Sequence, residues 1–438
     1  MPGLTEAEAR AILEKTLKLS KAESCEANLS ASAGGNIRFA RNTVTTSGAA
    51  SDRALVVQSN FGKRSGTATI NQLDDASIER VVRRSEELAR LAPEDPEFMP
   101  PLPQQQYVET RAFFDSTAAI SPEYRAQAAA QSLASARDRD CTTAGFLQDG
   151  ASWSAMMNSA GLFAYHRQTG VNYSATVRTN DGTGSGYVTR DYNDVSQLDA
   201  AATTRIALEK AVASRNARAI EPGRYTVILE PEASIELIQD MVYSMDARSA
   251  DEGRSFMAAP GGKTRLGQKL VDERVTIYSD PANAEVPTAP WLGDGRAFQR
   301  TPWIEKGVVK NLFYSRYWAQ QQGRDATPPP ANLIMEGGSA SLEDLIRDTA
   351  RGVLLTRTWY IRFVDPQTLL LTGLTRDGTF YVENGQIRYA VKNFRWNDSP
   401  VIMLNNVDAL GKPMRVRGCL IPPMRVRDFE FSSLSDAV

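Results

Sequence analysis

Glu221-Pro222-Gly223-Arg224-Tyr225-Thr226-Val227-Ile228-Leu229-Glu230-Pro231-Glu232-Ala233 marks the sharpest change of texture in this chain. Proline and glycine end whatever element precedes them. Tyr225–Leu229 then reads as a buried strand. Ile235, Ile238, Met241, Val242 and Met245 keep helical spacing over Ala233–Met245. Beyond that helix strands dominate, at Val275–Tyr278, Thr356–Phe363, Thr379–Val382 and Arg388–Val391. At 438 residues the chain exceeds one ordinary core, so the break predicts two domains, 1–220 and 221–438.

Upstream of the break the texture is mixed. A capping box at Thr5 and Glu8 precedes a helix over Ala9–Leu19. Strands are expected at Cys25–Ser32, Ile37–Thr45, Ala54–Asn60 and Gly66–Asn71, which leaves residues 33–36 and 46–53 between strands. Asp75 is expected to cap a second helix, spaced by Ile78, Val81, Val82, Leu88 and Leu91. Pro93, Pro96, Pro100, Pro101 and Pro103 form a connector, and Ser121-Pro122-Glu123 opens a third helix. A meander follows from Thr143 to Tyr192, with turns at Asn158–Gly161 and Asn180–Gly182, and a helix covers Leu198–Ala213. The fold class is therefore α+β, with a mixed, sandwich-like first domain.

Hydrophobic residues at 42% and charged residues at 23% describe a globular chain. A net charge of −2 gives no global electrostatic reason to bind nucleic acid. Cys25, Cys141 and Cys419 are odd in number and widely spaced, as reduced thiols would be. The first residues carry acid instead of a basic leader, and no apolar run reaches about 18 residues. A cytoplasmic protein without a membrane partner is expected.

One histidine, His166, limits the chemistry. A two-imidazole zinc site cannot be built within one subunit. A Cys141–His166 dyad stays open, since such pairs meet in space, although a surface or locally hydrogen-bonded sheet histidine is the plainer reading. Glu232, Glu236 and Asp240 share one helix face at i, i+4, i+8, where a solvated acidic stripe is the ordinary explanation. Asp181-Gly182-Thr183-Gly184-Ser185-Gly186 runs into strand residues instead of a helix, which favours a hairpin over a phosphate loop. Arg357, Trp359 and Arg362 lie in the strand Thr356–Phe363, which would pair with an extended peptide if it ends a sheet. Burial as core is expected of Trp359 and Ile361 more than of the arginines.

The segment Glu221–Val227, the run Leu333-Ile334-Met335-Glu336-Gly337-Gly338-Ser339 and the strand and turn Asp377–Ile387 resemble, in that order, features of the TldD/PmbA (TldE) family of metalloproteases. The ending Pro422–Phe429 is similar to its closing strand, and Arg38–Asn42 and Asn158–Leu162 match weaker features. The resemblance implies a second domain dominated by a strongly curved sheet. It also implies a dimer, cytosolic proteolysis of unfolded or modified peptides, and the pairing of a metal-bearing TldD-type subunit with a TldE-type one. The active type carries His-Glu-x-x-x-His on the first helix of the second domain. Here Leu237-Ile238-Gln239-Asp240-Met241-Val242 occupies that place, so Leu237, Ile238 and Val242 stand where the motif would be. Cys419 lies near the expected thiolate ligand, but the glycine-rich loop after it is shortened to Leu420-Ile421-Pro422. The resemblance thus points to a TldE-like, non-catalytic subunit that holds no zinc, with the metal in a TldD-like partner. A self-sufficient peptidase using Glu236 and Asp240, or Cys141 and His166, is the alternative. A peptide-binding scaffold is the third reading. Alone, the chain is expected to form a homodimer.

Overall fold

The computed structural model describes residues 3–435, residue 138 excepted. In the first half, α1 (Glu6–Leu19) leads to β1 (Ser24–Ala40), β2 (Thr43–Phe61), β3 (Arg64–Ile70) and α2 (Asp75–Leu91). After the proline connector come α3 (Pro122–Arg137), β4 (Cys141–Asn158), β5 (Phe163–Thr179), β6 (Ser185–Tyr192) and α4 (Ala200–Ala213). The six strands form one antiparallel sheet in the order β3-β2-β1-β4-β5-β6.

The strands are longer than local signals predict. Residues 33–36 and 46–53, expected between strands, lie inside β1 and β2. The real turn is Arg41-Asn42, both left-handed at φ 51° and 57°, which gives a two-residue hairpin. Gly34 and Gly35 read as breakers because they have no side chain to pack. In the sheet, β2 on one side and β4 on the other supply their ladder partners.

Alternation assigns the two faces. Cys25, Ala27, Leu29, Ile37 and Phe39 of β1 are buried, and the residues between them look the other way. The covered face holds two apolar clusters. One joins α1 and α2 through Leu13, Leu29, Leu55 and Val82, and the other joins α3 and α4 through Phe39, Leu147, Tyr173 and Leu208. Between them Arg125 donates two hydrogen bonds to Asp149, at 2.6 and 2.8 Å, both groups being buried. A Cβ on Gly35 would sit 2.2 Å from the Arg125 guanidinium carbon, so this glycine makes room for the pair.

The second half opens with β7 (Gly223–Leu229) and α5 (Pro231–Tyr243). Its main sheet is completed by β8 (Arg351–Leu355), β9 (Thr358–Asp365), β10 (Leu370–Thr375), β11 (Thr379–Glu383), β12 (Gln386–Ala390), β13 (Phe394–Asp398), β14 (Val407–Leu410) and β15 (Met424–Leu434). The order is β9-β10-β13-β15-β7-β8-β11-β12, with β14 also on β15, and β7–β8 is a parallel pair. This sheet is strongly curved, as expected. A second sheet of six short strands, between Ile277 and Ile421, closes the other side. The single large core lies between them, around α5, whose Ala233, Ile235, Leu237, Ile238, Met241 and Val242 are all buried. No helix among the described residues is long and apolar enough to cross a membrane.

Candidate functional site

Pro231 at the first turn starts α5 directly after β7, so the helix enters the core at a fixed angle. Leu237, Ile238 and Val242 are at most 1% exposed and pack in the core, with no polar atom to offer. The polar face of α5 meets the segment 415–419. Arg417 donates to Glu232 at 2.5 Å and to Glu236 at 3.3 Å. The acidic stripe is therefore not simply solvated, contrary to expectation. A guanidinium bridges its first two members, since like charges one turn apart need a cation between them. Burial still pushes the Glu232 carboxyl up, against the pull of Arg417. Asp240, one turn further, is pushed up to about 6, first by burial and then by the charge of Glu236.

Cys419 is 3% exposed, its thiol pushed up to about 11 by burial, and Gln239 Nε2 donates to its Sγ at 3.7 Å. A protonated thiol capped by an amide, beside carboxylates already bridged by arginine, is a poor donor set for zinc, which prefers thiolate and imidazole. Among the described residues no three His, Cys, Asp or Glu side chains converge as metal ligands would. The residues present do not fit the two-histidine zinc ion of the family's active type.

The same corner joins the two halves of the molecule. Asp191 of β6 accepts from Arg415 Nε and from the Gly418 backbone N–H, both at 2.9 Å. Asp377 accepts from Arg357 at 2.7 Å and from Ser185 of β6 at 2.6 Å, and the Arg357 guanidinium lies 3.7 Å from the Tyr187 ring centroid. Lys210 of α4 donates to Glu230 at 2.6 Å. Sequence reasoning missed Asp191 and Arg417 and saw Ser185 only as part of a hairpin, because contacts about 200 residues apart leave no local mark. Asp377 does stand in a quoted motif, and its left-handed φ of 57° explains why the short polar residue is used there.

The remaining candidates separate. Cys141 lies opposite Thr179 in the β4–β5 ladder, and His166 lies opposite Ser154, thirteen positions along β4. At about 3.3 Å per residue that puts them roughly 40 Å apart, and the dyad is ruled out. His166 instead packs edge-on against Trp291 at 5.9 Å, and burial lowers its pKa. The strand expected over Thr356–Phe363 forms as β9, with Arg357 just before it, and it does end its sheet. Ile361 and Arg362 are buried and exposed as expected, but Trp359 and Arg357 are not. Arg357 is held between the domains, whereas Trp359, Tyr360, Phe363 and Val364 are exposed. Trp359 stacks under Arg376 at 4.1 Å, and Arg362 lies 4.3 Å from the Tyr360 centroid. A left-handed Tyr360 and two register shifts turn these rings outward.

A chain whose second main sheet curls around a helix buried on its apolar face has a clear match among known proteins. Three family models match in succession, described as domain 1, the central domain and the C-terminal domain of the PmbA/TldA metallopeptidases, over residues 25–89, 116–215 and 222–433. The chain belongs to this family. A metalloprotease of Methanothermobacter thermautotrophicus is 23% identical over 292 residues, covering 61% of this chain and 62% of the relative's own length. Metalloprotease PmbA of Escherichia coli O157:H7 is 21% identical over 405 residues, 86% of each protein. The solved structure of TldE from Thermococcus kodakarensis superposes with a TM-score of 0.87 at 16% identity, over 97% of this chain and 99% of that one. At that identity the likeness concerns the fold.

Proposed function

We propose that this chain is a TldE-like, non-catalytic subunit that works with a metal-bearing, TldD-like partner in the cleavage of unfolded or modified peptides in the cytoplasm. The observation that carries the reading is the buried, apolar Leu237, Ile238 and Val242 of α5 where the active type has its motif residues, next to carboxylates bridged by Arg417. The exposed rings of β9, with Arg362, offer a surface for an extended peptide or for the partner, and a homodimer forms when the chain is alone. Zinc belongs to the partner. Tag-free chain after dialysis is expected to hold far less than one equivalent by elemental analysis, and a retained equivalent would end this assignment. Light scattering at micromolar concentration should give a dimer, and a monomer would remove that part.

A second reading draws on Asp240, a carboxyl near pKa 6 that could exchange a proton at neutral pH. It makes the chain a peptidase in its own right. Incubation with an unfolded peptide separates the readings. Cleavage by the mixture with a TldD-like subunit, but not by the chain alone, supports the first. Cleavage by the chain alone that is lost in Asp240→Asn supports the second. Binding without cleavage in either case would leave a peptide-binding scaffold.

A further inference from the structure

Four adjacent strands of the first sheet bring their smallest residues into one lateral row. The register sets Ala50 of β2 beside Gly34 of β1, Gly34 beside Gly150 of β4, and Gly150 beside Gly170 of β5. All four belong to the face without helices, because their neighbours of opposite parity, Ile37, Leu147 and Val171, fill the covered core. Two positions away on one side stand Ser32, Ser152 and Gln168, in register with one another. Two positions away on the other stand Asn36, Gln148 and Asn172. A solvent-open cavity of about 450 Å³ follows this trough.

Two of the glycines answer different questions. A Cβ on Gly34 would meet the Asp149 carbonyl oxygen at 2.2 Å, so packing alone accounts for it. A Cβ on Gly170 would meet nothing within 4 Å, and its backbone is outside the left-handed region. A glycine in a strand interior weakens the strand, and neither sterics nor backbone conformation requires this one. What it does supply is a floor open to the cavity.

The chemistry of the walls narrows the occupant. Over β1, β4 and β5 the floor and both walls carry no charge, and four of the six wall residues are amides. Each Asn or Gln offers a donor and an acceptor, the same pair a peptide unit presents. Asp52 stands at one corner, and Asp191 at the opposite one is already held by Arg415. Asp149, below the floor, is held by Arg125. Strands about 4.8 Å apart make the row roughly 14 Å long, room for about four extended residues, with walls about 6.7 Å to either side.

We propose that this trough holds an extended peptide main chain lying across the strands, its peptide units bonded by the amides of Gln148, Asn172 and Asn36. Gln168, which also bonds His166, stands at its far wall. The assignment rests on the reading of the chain as a peptide-binding subunit and gives that subunit an uncharged site on the first domain, apart from β9. Recognition of backbone amides tolerates many side chains, as an unfolded substrate requires.

The test is an anisotropy titration of the full-length chain with a dye-labelled, unfolded peptide of mixed sequence. Gly170→Leu, at a position where a Cβ meets no atom within 4 Å, fills the floor and should weaken binding about 10-fold or more while the melting temperature does not fall. Gln148→Ala with Asn172→Ala, both exposed positions, should weaken it about 10-fold through two lost hydrogen bonds. Because the trough is uncharged, wild-type affinity should change less than about twofold between low and high salt. Should Gly170→Leu prove unstable, the double amide variant decides. Wild-type affinity in the amide variant, or binding that collapses in salt, overturns the trough. If only Trp359→Ala and Arg362→Ala weaken binding, the trough falls and the subunit reading stands. If the wild-type chain alone binds no peptide at all, the trough falls, and cleavage by the mixture with a TldD-like subunit still decides the subunit reading.

Discussion

The two sheets of this molecule handle polar groups in opposite ways. The first is covered by helices on one face, and the other leaves the neutral amides of Gln148 and Asn172 exposed, where water can meet their donors and acceptors. The second curls around α5, and the polar residues on that helix have no such freedom. Glu232 and Glu236 need Arg417, and Asp240, which has no such cation, rises to about 6. The difference teaches that charge and burial together decide what a polar side chain costs, and that the curled sheet supplies the burial. On an open face it is solvated. Inside a curled sheet it must be paired or give up its charge.

Putting a new charge on each sheet tests the comparison most severely. Ile238→Asp places a carboxylate at a position with 0% exposure and should abolish cooperative folding of the second half, a loss on the order of 4 kcal/mol or more. Gln148→Glu on the open face should stay within about 0.5 kcal/mol of wild type. Chemical denaturation followed by circular dichroism measures both, and similar losses would break the comparison.

Arginines of one strand region give a smaller contrast. Arg357→Ala leaves the buried carboxylate of Asp377 with Ser185 as donor and Arg376, 3.8 Å away, as its remaining cation, and should cost about 1–2 kcal/mol. Arg362→Ala removes an exposed guanidinium and should cost less than about 0.5 kcal/mol. Equal melting temperatures for the two variants would show that Arg357 does not hold the domains together.

The smallest effect depends on pH. The folded-state pKa of Asp240 is raised from 3.8 to about 6, so its contribution to stability is fully present below about pH 4 and is lost as pH rises through about 6. Asp240→Asn should therefore stabilise the protein at pH 7, by about 1 kcal/mol once partial exposure is allowed for, and should give no gain at pH 4. Parallel denaturation curves at the two pH values check the sign, and a gain at pH 4 alone would contradict it.

The sequence by itself determined the class of fold, the family and the apolar character of α5. Those follow from signals carried by neighbouring residues: Pro-Gly at the break, helical spacing over Ile235–Met245, and the ordered motifs from Leu333 to Phe429. It also placed the turns at Asn158–Gly161 and Asn180–Gly182, where the chain reverses on local chemistry alone. Only the tertiary structure decided the length of β1 and β2, because Gly34, Gly35 and Gly48 break a strand locally but are carried through it by ladder partners from distant segments. The candidate sites were hidden for the same reason. Arg417 reaches Glu232 and Asp377 reaches Ser185 across nearly 200 residues, and Gly34, Gly150 and Gly170 form a row only once three strands are in register. Hydrogen bonds and ion pairs act over a few ångströms of space, whereas a sequence records only separation along the chain.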